Sequence, residues 1–143
     1  MKQPPTFTGL HLFVRDMRAT AAFYRRLGFD VPDDEQHAVF SLASGVVVAL
    51  GSHALTQSYN PGWQAPPGKG AMALQFDVPS RQAVDDLYHD LTAAGYDSEL
   101  APIDAFWGAR YAEVLDPDGN TVGFHSPRDA SMRGAPPGAA GVS

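Results

Sequence analysis

The chain has 143 residues, a size that suits one ordinary domain or two copies of a unit of about sixty residues. Ten Lys and Arg against sixteen Asp and Glu give a net charge of −6, which excludes the basic footprint needed for phosphate backbones or anionic membrane surfaces. Hydrophobic residues reach 44%, enough for a core, and the absence of cysteine excludes disulfides, thiolate metal sites, thiol nucleophiles and iron–sulfur clusters.

The N-terminal MKQPPTFTG has no apolar signal core, and no run approaches eighteen apolar residues. The expectation is a cytoplasmic protein with no membrane or nucleic-acid partner. Residues 8–14 alternate, with Leu10, Leu12 and Val14 on one face and Gly9, His11 and Phe13 on the other, which predicts a strand. Asp16 is placed to cap a helix over 17–27, whose stripe is Thr20, Phe23, Tyr24 and Leu27. Arg25 and Arg26 lie in its last turn, where the helix dipole favours positive charge, and Gly28 stops it. A short strand is expected at 29–31 before Pro32, then strands at 37–42 and 45–50 joined by Ala43-Ser44-Gly45.

Residues 52–69 read as a long irregular linker containing Tyr59, Asn60-Pro61-Gly62, Trp63 and Pro66-Pro67-Gly68. The same order of elements then returns. Residues 71–78 alternate as a strand, Ser80 caps a helix with the stripe Val84, Leu87, Tyr88 and Leu91, and Gly95 ends it. A strand over 96–100 should stop before Pro102, and 111–115 with 121–125 should form a hairpin about Asp116-Pro117-Asp118-Gly119-Asn120. The last stretch, PRDASMRGAPPGAAGVS, has almost no large apolar residue, so 128–143 reads as a flexible or loosely docked tail.

Val14 and Val78, Phe23 and Leu87, and Leu27 and Leu91 all lie 64 positions apart. Two strand–helix–strand–strand–strand modules, at about 7–51 and 70–127, therefore tile a domain spanning 1–127. The predicted fold class is α+β, with two βαβββ modules forming a curled mixed sheet around a pocket. The strands leading into the helices have one apolar face and one of small, polar or single aromatic residues (Gly9, His11, Phe13; Ala71, Ala73, Gln75, Asp77), as a face lining a cavity would.

The stretches LHLFVRDMRATAAFYRRLGF and WGARYAEVLDPDGNTVGF resemble the vicinal oxygen chelate superfamily, which includes glyoxalase I, extradiol dioxygenases, fosfomycin-modifying enzymes and bleomycin-resistance proteins. The resemblance covers roughly residues 7–127. It implies paired βαβββ modules and, commonly, a homodimer with pockets built by both chains. It also implies a divalent metal held by side chains on the first strand of each module and on the last strand. Matched by motif, those positions are Gly9, about Ala73, and Gly123, none of which can ligate. The expectation is therefore no metal and no cofactor. His11, Gln75 and His125, each two residues further on, are the one alternative set.

Members lacking the metal set resemble the branch that sequesters antibiotics. The expected function is a metal-independent small-molecule-binding protein, taking an antibiotic or another planar aromatic compound, with no catalytic residue assigned. The alternative is a metal-dependent glyoxalase- or dioxygenase-type enzyme with a rearranged site. Planar ligands need ring area and a few polar anchors. The candidate ligand-binding residues are His11, Phe13, Phe40, Trp63, Phe106, Trp107, Tyr111 and His125, and Asp77, Asp104 and Glu113 are carboxylates that would suit a cationic ligand.

Overall fold

A computed structural model describes residues 3–65 and 72–135. The chain divides into two compact units, Met1–Pro67 and Gly68–Ser143. The first unit runs β1 (Gly9–Val14), α1 (Met17–Arg26), β2 (His37–Ser41), β3 (Val47–Ser52) and α2 (His53–Tyr59). The second runs β4 (Ala73–Asp77), α3 (Arg81–Ala93), β5 (Ser98–Asp104), β6 (Arg110–Leu115), β7 (Thr121–His125) and a 3-10 turn, Ala130–Met132. The architecture is mixed α+β, with one mixed sheet in each unit, ordered β1-β3-β2 and β4-β7-β6-β5.

In the first unit β1 lies parallel to β3, and β2 runs antiparallel to it. Directly opposed residues share a face, so Leu12–Leu50–Ala38 and Leu10–Val48–Phe40 form two rows beneath α1. Phe23 and Tyr24 of α1 fill the space over them. Asp16 caps α1 through the Ala19 amide, and Gly28 leaves it at a φ of +103°. The strand expected at 29–31 does not form. The Arg25 guanidinium takes the Val31 carbonyl at 2.6 and 2.8 Å, and Phe29 packs its ring on Phe40 at 5.0 Å, which ties this stretch to the helix end rather than to a sheet. The expected irregular linker instead opens with α2, capped by the Ser52 hydroxyl on the Leu55 amide.

The second unit keeps the full strand–helix–strand–strand–strand order. Ser80 caps α3 through the Ala83 amide, Val84 and Leu91 bury its inner face, and Gly95 ends it at a φ of +99°. Asp85 on α3 binds Arg110 of β6 at 2.9 Å, and Asp104 of β5 joins Arg110 and Arg81, so charge as well as apolar area docks the helix. β5 does not stop at Pro102. Its register with β6 shifts between Leu100 and Ile103, an irregularity that accommodates a residue with no amide donor. β7 is central and buried on both faces. The turn after β6 is held by Asp116, whose carboxylate accepts from the Asp118 and Asn120 amides at 2.9 Å each.

The expected tail begins as ordered structure. The Asp129 amide donates to the Gly108 carbonyl at 3.0 Å and the Gly134 amide to the Phe106 carbonyl at 2.8 Å. Residues 129–134 thus strap the 105–109 turn, while 136–143 lie outside the described residues.

Candidate functional site

The β1-β3-β2 sheet has a second face, away from α1. Its rows are His11–Ala49–Val39 and Phe13–Gly51–His37. Phe13 is 37% exposed and stacks with His11 at 4.9 Å between ring centroids; Trp63 tilts against Phe13 at 5.1 Å, and His53 meets Trp63 edge-on at 5.0 Å. Gly51 makes this possible, because the His11 imidazole lies where its Cβ would stand. Burial and the nearby His37 hold the His11 imidazole below its ordinary range, so it is neutral at neutral pH. His37, exposed, shares the Phe13–Gly51 row, and His53 joins this face through Trp63.

Phe40 does not. It is 2% exposed, in the row beneath α1, between Tyr24 at 5.4 Å and Phe29 at 5.0 Å. Its parity on β2 makes it a core residue and removes it from the candidate ligand-binding set.

The other candidates come together in the second unit. Gln75, Gly123 and Glu113 form one row across β4, β7 and β6, and Asp77, His125 and Tyr111 form the next. The turn at 105–109 brings Trp107 over this face. The Trp107 indole N–H donates to His125 Nδ1 at 3.3 Å, and His125 Nε2 meets Gln75 Oε1 at 2.8 Å. An indole only donates, so Nδ1 is the acceptor and Nε2 carries the proton. The Gln75 amide donates to the Tyr111 hydroxyl at 3.4 Å, and that hydroxyl donates to Glu113 Oε2 at 2.5 Å. Every donor in the chain thus points toward one carboxylate.

This order fixes the charge states. Burial and nearby Arg128 lower the His125 imidazole, against the opposing pull of Asp77 and Glu113, so it stays neutral as the Trp107 bond requires. Burial and the Glu113 carboxylate push the Tyr111 phenol well above its ordinary value. The rings also pack: Tyr111 lies 4.5 Å from His125, Trp107 lies 5.3 Å from Tyr111, and Phe106, 38% exposed, meets Trp107 edge-on at 5.0 Å. Gln75 and Glu113 stand outside the candidate ligand-binding set: the sequence puts Gln75 in the alternative metal set and Glu113 among the carboxylates suited to a cationic ligand. The signal for Glu113 was available, since Tyr111-Ala112-Glu113 puts both polar ends on one face of a strand.

The donor set does not fit a divalent metal. Gly9, Ala73 and Gly123 offer no side-chain ligand, and a Cβ at 123 would lie 2.5 Å from the Tyr111 hydroxyl oxygen. The phenol fills the place that a carboxylate at 123 would need. In the second unit, His125 has its single lone pair on Nδ1 committed to Trp107, and Gln75 is bonded to His125 and Tyr111. Among the described residues no group of three or more His, Cys, Asp or Glu is placed to hold a metal ion.

Asp104 is likewise unavailable to a cationic ligand, being paired with Arg81 and Arg110. A separate surface hollow of about 490 Å³ lies along α1, lined by Met17 and Ala21 and rimmed by Arg18, Arg25, Asp33, Asp34 and Glu35. Four of its five rim charges are paired, Arg25 with Asp33 at 2.7 Å and Arg18 with Glu35 at 3.7 Å, while the Asp34 carboxylate accepts from the Gln36 and His37 amides.

Two successive units, each a mixed sheet with a parallel strand pair, a helix on one face and rings with polar groups on the other, define a glyoxalase-fold protein. The chain belongs to the Glyoxalase/Bleomycin resistance protein/Dioxygenase superfamily, whose family model matches residues 6–124. Its fold is similar to that of a glyoxalase-related enzyme from Fulvimarina pelagi (TM-score 0.75, 23% identity, 85% of this chain and 88% of that one). A glyoxalase/bleomycin resistance protein/dioxygenase from Nocardioides gives a TM-score of 0.73 at 24% identity, over 94% and 91% of the two chains. A lactoylglutathione lyase from Agrobacterium tumefaciens gives 0.64 at 21% identity, over 87% and 96%. No curated protein matches the chain. No helix among the described residues is long and apolar enough to cross a membrane.

Proposed function

We propose that this protein binds a planar aromatic small molecule without a metal ion and sequesters it rather than transforming it. The supporting observation is the hydrogen-bonded chain Trp107–His125–Gln75–Tyr111–Glu113, which joins polar side chains to one another around the position where the family's metal-holding members need a ligand. Rings beside that chain supply the remaining binding area, Phe106 and Trp107 within the second unit; Phe13 and Trp63 form a separate ring set within the first. Offset or edge-on contacts between aromatic rings add roughly 0.5–1.5 kcal/mol each beyond burial, so such contacts supplement the burial of a flat ligand's faces.

Trp63 and Trp107 are the only tryptophans, and both lie in the proposed ring sets. Titration of tryptophan fluorescence with a panel of planar polycyclic antibiotics and dyes, with and without a chelator, tests the reading. Saturable quenching that is indifferent to chelator is the expected result. Binding that vanishes with chelator and returns with added Ni²⁺ or Zn²⁺ would overturn it in favour of a rearranged metal site.

A further inference from the structure

Glu113 ends a chain of donors, yet only one of its oxygens is used. Oε2 accepts the Tyr111 hydroxyl, while Oε1 has no hydrogen bond among the described residues and is not fully buried. No Lys, Arg or His among the described residues makes an ion pair with it. The half-buried carboxylate stands one residue along β6 from Ala112 and shares its row with Gly123, beside the Tyr111 ring and in the same face as Trp107 and His125. The other groups in this row and the next are neutral donors already committed, or Asp77, which adds a second negative charge. Arg128 is the nearby cation; it acts on His125 and pairs with no carboxylate among the described residues.

A carboxylate so placed has one strong use for a ligand: it accepts a charge-assisted hydrogen bond from an N–H group. We infer that Glu113 Oε1 is the anchor for a cationic nitrogen, so the ligand class is a planar aromatic carrying an amine, amidine or protonated ring nitrogen. This deepens the proposed function and rests on it. Tyr111 acts as a positioning residue, because its hydrogen bond fixes one carboxylate oxygen and leaves Oε1 unbonded. The Trp107 and Tyr111 rings beside the carboxylate favour the same ligand sign, since a cation is drawn to an aromatic face.

The test is fluorescence titration at pH 7.5 with three flat tricyclic probes of similar area: cationic proflavine, neutral acridone and anionic acridine-9-carboxylate. Proflavine is expected to bind about tenfold more tightly than acridone, and the carboxylate more weakly than both. E113Q, which keeps the side-chain shape, should bring the proflavine-to-acridone affinity ratio down to about one. D86N, which removes the same unit of charge from an exposed position on α3, should leave the preference intact. Circular dichroism and thermal melting of each variant separate loss of binding from loss of fold. Equal binding of proflavine and acridone would overturn the anchor while leaving a planar-ligand binder; a preference that survives in folded E113Q would do the same. Failure of all three probes to bind would overturn both.

Discussion

A histidine whose two ring nitrogens are engaged by a donor on one side and an acceptor on the other has only one uncharged arrangement, and His125 is in it. Protonation at Nδ1 would put two donors face to face, so acid must break the Trp107 bond. The direction of the effect on stability follows from the lowered folded value of His125. As pH falls below the ordinary 6.5, the unfolded chain takes up the proton first, so stability is full above that point and declines below it. His11 is lowered in the same sense and adds to the decline. Urea midpoints at pH 7.5 and 5.5 should therefore fall, and fall less in H125Q; an unchanged decline in that variant would contradict the assignment. At the same scale, Trp107→Ala should weaken binding of a confirmed planar ligand on the order of tenfold, whereas Trp107→Phe should keep most of the affinity, because stacking area and not the N–H does the holding. Gly123→Ala forces a Cβ against the Tyr111 hydroxyl and should cost about 1–3 kcal/mol, read as a lower thermal midpoint. An unshifted midpoint would mean the phenol does not occupy that space.

Elements were legible where one residue fixes them locally. Asp16 and Ser80 cap their helices, Gly28 and Gly95 end them at positive φ, and the Asp116 turn forms as its residues require. Elements were missed where a distant partner decides. Residues 29–31 have strand composition, but Arg25 holds the Val31 carbonyl. β5 continues through Pro102 because a register shift against β6 absorbs the proline. The seven-residue α2 is too short for a readable stripe, and it depends on the Ser52 cap. The strap at 129–134 was unreadable for the same reason: its composition is that of a tail, and two backbone hydrogen bonds to the 105–109 turn order it. Gly108 is the contact point, at a φ of +92° with the Asp129 carbonyl where a Cβ would stand. Gly108→Ala should therefore loosen the strap, costing about 1–3 kcal/mol and raising acrylamide quenching of Trp107 in a Trp63→Phe background. Unaltered quenching would show that the strap does not hold the indole.

At the scale of the whole molecule, the repeat was visible as a constant offset between equivalent core positions, but the two units have diverged. The second keeps the full strand–helix–strand–strand–strand order and carries the polar chain. The first has three strands to the second's four, adds the short helix α2 and presents histidine and aromatic rings. Phe40, a candidate by residue type, is core by its parity on β2, and Gln75, legible in the sequence as part of an alternative ligand set, is instead bonded to His125 and Tyr111 through the pairing of β4 with β7 and β6. At the positions matched by motif to the family's metal ligands the chain has Gly9, about Ala73 and Gly123, and the Tyr111 phenol lies against the last of them. Calorimetric titration of Ni²⁺ and Zn²⁺ into the chelator-treated protein addresses this directly. No saturable one-to-one site is the predicted outcome; tight stoichiometric uptake that disappears in H125A would contradict it.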